Sequence, residues 1–90
     1  MASFTEETIK ENLPTWYFNH QVISKKFIFK DFKSAFAFMV KVAFYAEIQN
    51  HHPDWTNSYN TVIINLTTHD QKKITEKDIK LAKAIDAIII

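Results

Sequence analysis

Residues 16–31, WYFNHQVISKKFIFKD, decide the fold. Trp16-Tyr17-Phe18 is strand-like, Asn19-His20 is the expected turn, and residues 22–29 read as the returning strand. Phe27 and Phe29 fall on one face of that strand, with Lys26, Ile28 and Lys30 on the other, the period-two alternation of a half-buried strand. Asp31 then offers the short acceptor side chain of a helix N-cap. It opens a long helix expected from Phe32 to about Gln49.

Outward from this core the chain repeats the pattern. On the N-terminal side, Ser3-x-x-Glu6 resembles a capping box, and Ile9 and Leu13 keep helical spacing. Pro14 stops that helix, because the residue before proline is pushed out of the α region. On the C-terminal side, residues 50–53 lead out of the long helix and residues 54–59 form a short strand. Asn60 is a turn residue, and residues 61–67 form another strand with Val62, Ile64 and Leu66 on one face. Thr75-Glu76-Lys77-Asp78 is a second capping box, opening a helix through Ile79, Ala82, Ile85 and Ile89. The order αββαββα implies an α+β domain with an antiparallel sheet. Residues 1–90 are expected to form this one domain, since a chain of that length has no room for a second core.

Composition excludes several function classes. The formal net charge is +1, with lysines scattered among acids, so no broad basic footprint for nucleic acid is present. Cysteine is absent, which removes disulfide scaffolds, thiolate zinc sites and cysteine nucleophiles. Glycine is absent too, which removes Walker and dinucleotide loops, where backbone N–H groups must approach phosphate closely. Turns are expected to use Asn, Asp and Pro instead. The N-terminus has no apolar signal region, and the longest apolar stretch, residues 35–46, is broken by Lys41. It falls short of the roughly 20 residues of a membrane span, so a soluble cytoplasmic protein is expected. The long helix is apolar almost all round, as a helix buried on more than one side would be. One side is expected to face the sheet and the other a second subunit, which makes the protein a homo-oligomer. The Ile88-Ile89-Ile90 end adds aliphatic surface that would fray unless docked.

The chemistry concentrates in His51-His52-Pro53, Trp55, Tyr59 and Thr68-His69-Asp70. Histidine donates and accepts protons near neutrality, and a strand folding back can bring His69 beside the pair. Such a site suits proton transfer on a flat, polar ring. His51 and His69 are the acid–base candidates. Adjacent residues on an extended segment point to opposite sides, so His52 meets the ligand from its edge or orients a partner. Glu47, four residues before His51, either orients that imidazole or is a solvated carboxylate. Asp78 reads first as a cap, and His20 as a solvated turn residue. Trp16, Trp55 and Tyr59 are stacking candidates or core aromatics, Trp16 being the best placed to stack. Zinc is the rival reading of the cluster. Its histidines usually come as His-x3-His on a helix or with cysteines, and neither occurs, so no metal is expected.

With its spacing, Glu47-x3-His51-His52-Pro53-x5-Tyr59-x9-His69-x8-Asp78 resembles the signature of the pterin-4a-carbinolamine dehydratases. The flanks agree: Leu13-Pro14-x-Trp16, Phe27-x-Phe29-x-Asp31-Phe32, Leu66-Thr67-Thr68-His69-Asp70 and Thr75-Glu76-Lys77-Asp78-x-x-Leu81-Ala82. The chain departs from the family pattern at Thr15 and at Gln71-Lys72-Lys73, where members often have glycine. The resemblance implies a four-stranded antiparallel sheet with three helices on one face, assembled as a homodimer or homotetramer. The activity implied is dehydration of 4a-hydroxytetrahydropterin to quinonoid dihydropterin without metal or other cofactor. That step recycles the pterin of aromatic amino acid hydroxylases. The resemblance and the residue chemistry together put His51, His52 and His69 in catalysis, and Glu47, Pro53, Thr68, Asp70 and Trp16 beside them in pterin binding. The alternative is a non-catalytic interaction protein, a dimerisation partner or coactivator of a transcription regulator.

Overall fold

The computed structural model describes residues 4–88. Its elements run α1 (Glu6–Asn12), β1 (Tyr17–Asn19), β2 (Val22–Ile28), α2 (Phe32–Gln49), β3 (Asp54–Ser58), β4 (Thr61–Leu66) and α3 (Glu76–Asp86). The two hairpins join through their second strands into one antiparallel sheet of order β1-β2-β4-β3. Register follows the alternation: Ile23 pairs with Leu66, Phe27 with Val62, and Trp55 with Ile64. Ile23, Val62, Ile64 and Leu66 are fully buried, whereas Ile28 and Ile63 on the opposite face are exposed. The helices cover the buried face. Ile9 of α1, Phe38 and Val42 of α2, and Leu81, Ala82 and Ile85 of α3 share one core with the strand residues. Each large apolar side chain among them contributes about 1.5–3 kcal/mol by leaving water.

Local signals set the ends of the elements. Thr5 caps α1 by accepting from Thr8 N, while Ser3, the expected cap, lies outside the described residues. Leu13 leaves the helical region at φ −134°, ψ 67°, as Pro14 demands. The first hairpin turns one residue later than expected, because Asn19 still pairs with Val22 and leaves His20 and Gln21 as the loop. Without glycine, the left-handed positions among the described residues fall on His20, Asn50, Tyr59 and Lys72, and Tyr59 and Lys72 are not residue types expected there. A left-handed side-chain-bearing residue costs roughly 1–2 kcal/mol, which the adjoining pairing and caps offset. Helix α3 ends at Asp86, short of the expected Ile89, which lies outside the described residues. No helix of the described residues is long and apolar enough to cross a membrane.

Helix α2 carries two apolar faces. Ala35, Phe38, Val42 and Ala46 point into the core. Phe32, Phe36, Val40, Phe44 and Ile48 are exposed, and their four-residue steps make one continuous ridge. At its start Asp31 accepts from Ser34 N at 2.8 Å. That backbone bond, then the Ser34 hydroxyl, hold the Asp31 carboxyl below its ordinary value, with Lys33 and Lys30 adding to the effect. A carboxyl lowered by folding stabilises the folded state above its unfolded value, and the contribution is lost as pH falls through the folded value. Asp31→Asn, which keeps a capping acceptor, should therefore flatten the acid limb of urea midpoint against pH. Superimposable curves for the two proteins would remove this role.

Candidate active site

The site begins where α2 ends. Asn50 turns left-handed (φ 51°, ψ 44°), its N–H bonds back to Ala46 and Glu47, and His51 N reaches Ala46 O at 3.0 Å. This is the helix ending that glycine usually makes, here made by asparagine. The reversal sends His51 inward and His52 outward. His51 is only 9% exposed, and its Nε2 lies 2.5 Å from Asp78 Oδ1. Asp78 is fully buried in the first turn of α3. Its other oxygen, Oδ2, accepts from Thr75 N at 3.0 Å and from the Thr68 hydroxyl at 2.7 Å.

Proton counting fixes the direction of this network. Thr68 has one hydroxyl proton and gives it to Asp78, so the 2.7 Å contact between the Thr68 and Thr75 hydroxyls is a donation by Thr75. The carboxylate thus receives a charge-assisted bond on each oxygen, as a buried charge requires. The His51 proton is drawn to Nε2 by Asp78, which leaves Nδ1 as the basic nitrogen. The capping role expected of Asp78 is present, and the same carboxylate also orients His51.

Helical spacing puts Glu47 beside His51, but its Oε2 instead lies 2.5 Å from His52 Nε2, both side chains being exposed. The spacing fails because the chain leaves the helix at Asn50. His69 is exposed on a loop closed by Thr68 N to Lys73 O (3.0 Å) and Lys72 N to Thr68 O (2.7 Å), with Lys72 at φ 53°. Gln71-Lys72-Lys73 therefore makes its turn without glycine. A cavity of about 310 Å³ brings all three histidines together, with Asn50, Thr68, Asp70 and Lys77 as its other walls.

Besides Glu47, two further expected ligand contacts do not line this cavity. Trp16 is a core residue, 4% exposed: it meets Phe27 edge-on and its Nε1 donates to Asp86 Oδ2 at 2.9 Å. Lys25 Nζ bonds the other Asp86 oxygen and the Thr15 hydroxyl, each at 2.8 Å. Trp16 thereby ties the turn after Pro14 to α3 and does not border the histidine cavity. Pro53 is half-buried and does not line it either. Sequence reasoning missed Asn50, Lys77 and the Thr75 hydroxyl. Asn50 was readable, as an asparagine ending a helix in a glycine-free chain. Lys77 had no signal of its own. Among the described residues, no three His, Asp or Glu side chains are grouped to hold a metal ion.

Comparison with known proteins shows the family and the fold. The model of the pterin 4 alpha carbinolamine dehydratase family matches residues 2–88. A relative from Prochlorococcus marinus (strain NATL2A), named for those dehydratases, is 54% identical over 79 residues, covering 88% of this chain and 83% of its own length. Another, from a second strain of the same species, is 50% identical over 88 residues, 98% of this chain and 92% of that one. The crystal structure of a transcriptional coactivator/pterin dehydratase from Brucella melitensis has a TM-score of 0.87 at 41% identity, covering 96% of this chain and 97% of its own. A pterin dehydratase-like RuBisCO assembly factor of the alpha-carboxysome shares the fold, with a TM-score of 0.66 at 22% identity over 80% of this chain and 83% of its own.

Proposed function

Since the chain belongs to the pterin 4 alpha carbinolamine dehydratase family, we propose that it removes water from 4a-hydroxytetrahydropterin, giving quinonoid dihydropterin. That reaction recycles the pterin of aromatic amino acid hydroxylases. The observation that carries the reading is the buried Asp78–His51 pair bordering one cavity with His52 and His69. His51 Nδ1 takes the ring N–H proton, and the electrons of that bond form C=N. The C4a–O bond breaks as protonated His69 gives its proton to the leaving hydroxyl, which departs as water. The two histidines exchange charge and return through solvent. His52, held by Glu47, sits on the rim and acts on binding, and Asp70 accepts from the pterin's N–H groups. The Thr68 hydroxyl is already engaged with Asp78, so Thr68 supports the base.

Stopped-flow decay of 4a-hydroxytetrahydropterin tests this directly. A saturable acceleration, undiminished by exhaustive chelation, is expected. Decay no faster than in buffer would remove the dehydratase reading, and loss of activity on chelation would make the chemistry metal-dependent.

The ridge on α2 favours a second role, in assembly. Its five exposed apolar side chains match the ridge-into-groove packing of two such helices, and we assign it to a homodimer or homotetramer contact. Phe44→Asp should lower the sedimenting mass while leaving the subunit folded, since Phe44 is 68% exposed and outside the core. A wild-type monomer at micromolar concentration would overturn the assignment. A non-catalytic interaction protein would use the same ridge, and is distinguished by having no turnover in the stopped-flow assay.

A further inference from the structure

A second concavity adjoins the histidine cavity. It is larger, about 690 Å³, and runs between the end of α2 and the outer face of α3. Lys77 borders both cavities, and Gln49 and Asn50, neighbours in the chain, line one each. The larger groove carries Lys77, Lys80 and Lys83, whose three-residue steps put them on one side of α3. Among the described residues none of these lysines is in an ion pair, and only the Lys83 ammonium has a hydrogen-bond partner, Asn12. Glu76 also borders the groove, which leaves an excess of positive charge. Its walls are apolar at Ile79 and at the exposed Ile48, the last residue of the α2 ridge.

Small-molecule sites run from roughly 300 to 1,000 Å³, which puts the histidine cavity at the lower end, sized for a ring system and little more. A substituent on that ring has to leave the cavity, and past Lys77 it enters the lysine groove. We propose that the physiological substrate is a reduced pterin whose side chain ends in an anion, a phosphate ester or a carboxylate, held by Lys77 and Lys80. This inference rests on the dehydratase reading and narrows its substrate class.

Anaerobic calorimetric titration with three stable reduced pterins tests it: 7,8-dihydroneopterin, its monophosphate, and dihydrofolate, whose tail ends in carboxylates. At low salt at least one anionic ligand should bind about tenfold tighter than the neutral one, the sum of two or three exposed ion pairs. The advantage should shrink as salt screens it. Whichever anion gains more identifies the tail. In Lys77→Gln/Lys80→Gln the ratio of anionic to neutral affinity should fall towards one, and Lys80→Arg should keep it. Equal affinities for all three ligands, or a gain that survives the double change, would overturn the inference while leaving the dehydratase reading in place. Failure of every pterin to bind would remove both.

Discussion

His51→Ala and His69→Ala should each lower kcat by about 10²–10⁴, the usual contribution of a positioned acid or base. The two imidazoles border one cavity from different segments, His51 at the exit of α2 and His69 on the loop after β4. One can therefore accept from the pterin ring while the other donates to the leaving hydroxyl. If the two transfers are concerted, removing either group forfeits most of the benefit of both. The double variant should then fall short of the product of the single losses. His52 differs, because its Nε2 is held by the exposed Glu47. His52→Ala should mainly raise KM, and Glu47→Gln should do the same to a smaller extent, the pair being exposed and weak. Stopped-flow kinetics over a range of substrate concentration separates these effects. Should His52→Ala abolish kcat while His51→Ala and His69→Ala leave it at the wild-type level, the division of labour is wrong, although family membership would stand.

Much of this frame was legible in the sequence because its determinants are local. The alternation of Phe27 and Phe29 against Lys26 and Ile28, the Asp31 cap and the Thr75–Asp78 box each lie within a few residues, and all three appear as read. The errors have two sources, partners distant in the chain and a helix that ends left-handed without glycine. Trp16, two residues after Pro14, reads as the best stacking candidate, and what ties it into the core instead is Asp86, 70 residues on. Helical spacing pairs Glu47 with His51, but the left-handed Asn50 breaks that spacing and delivers His52 instead. The bond that organises the site, His51 to Asp78, spans 27 residues and joins two elements that no short-range pattern links. The turns misled for a different reason. Without glycine, pairing forced Tyr59 and Lys72 into a backbone region their side chains do not favour.

Asp78→Asn should be nearly as costly to kcat as the loss of His51, about 10²–10⁴, with only a small change in KM. The two donors on Oδ2, Thr75 N and the Thr68 hydroxyl, admit an acceptor only. An asparagine must therefore set its carbonyl there and aim its amide NH₂ at His51 Nε2. That nitrogen then has to accept, so the His51 proton moves to Nδ1, the atom proposed to take the proton from the substrate. The fold keeps its capping bond and the imidazole stays in place, yet the base is blocked by the wrong tautomer, the same logic by which an Asp→Asn change disables a serine-protease histidine. Asp78→Ala should act differently. It strands three buried donors at about 1–3 kcal/mol each and lowers stability as well as rate. Because Asp78 acts through His51, combining Asp78→Asn with His51→Ala should add little to His51→Ala alone. Nitrogen-15 chemical shifts of the His51 ring read the tautomer without reference to turnover: Nε2 should carry the proton in the wild type and Nδ1 in Asp78→Asn. If the shifts are unchanged and kcat stays at the wild-type level, Asp78 is a helix cap and nothing more.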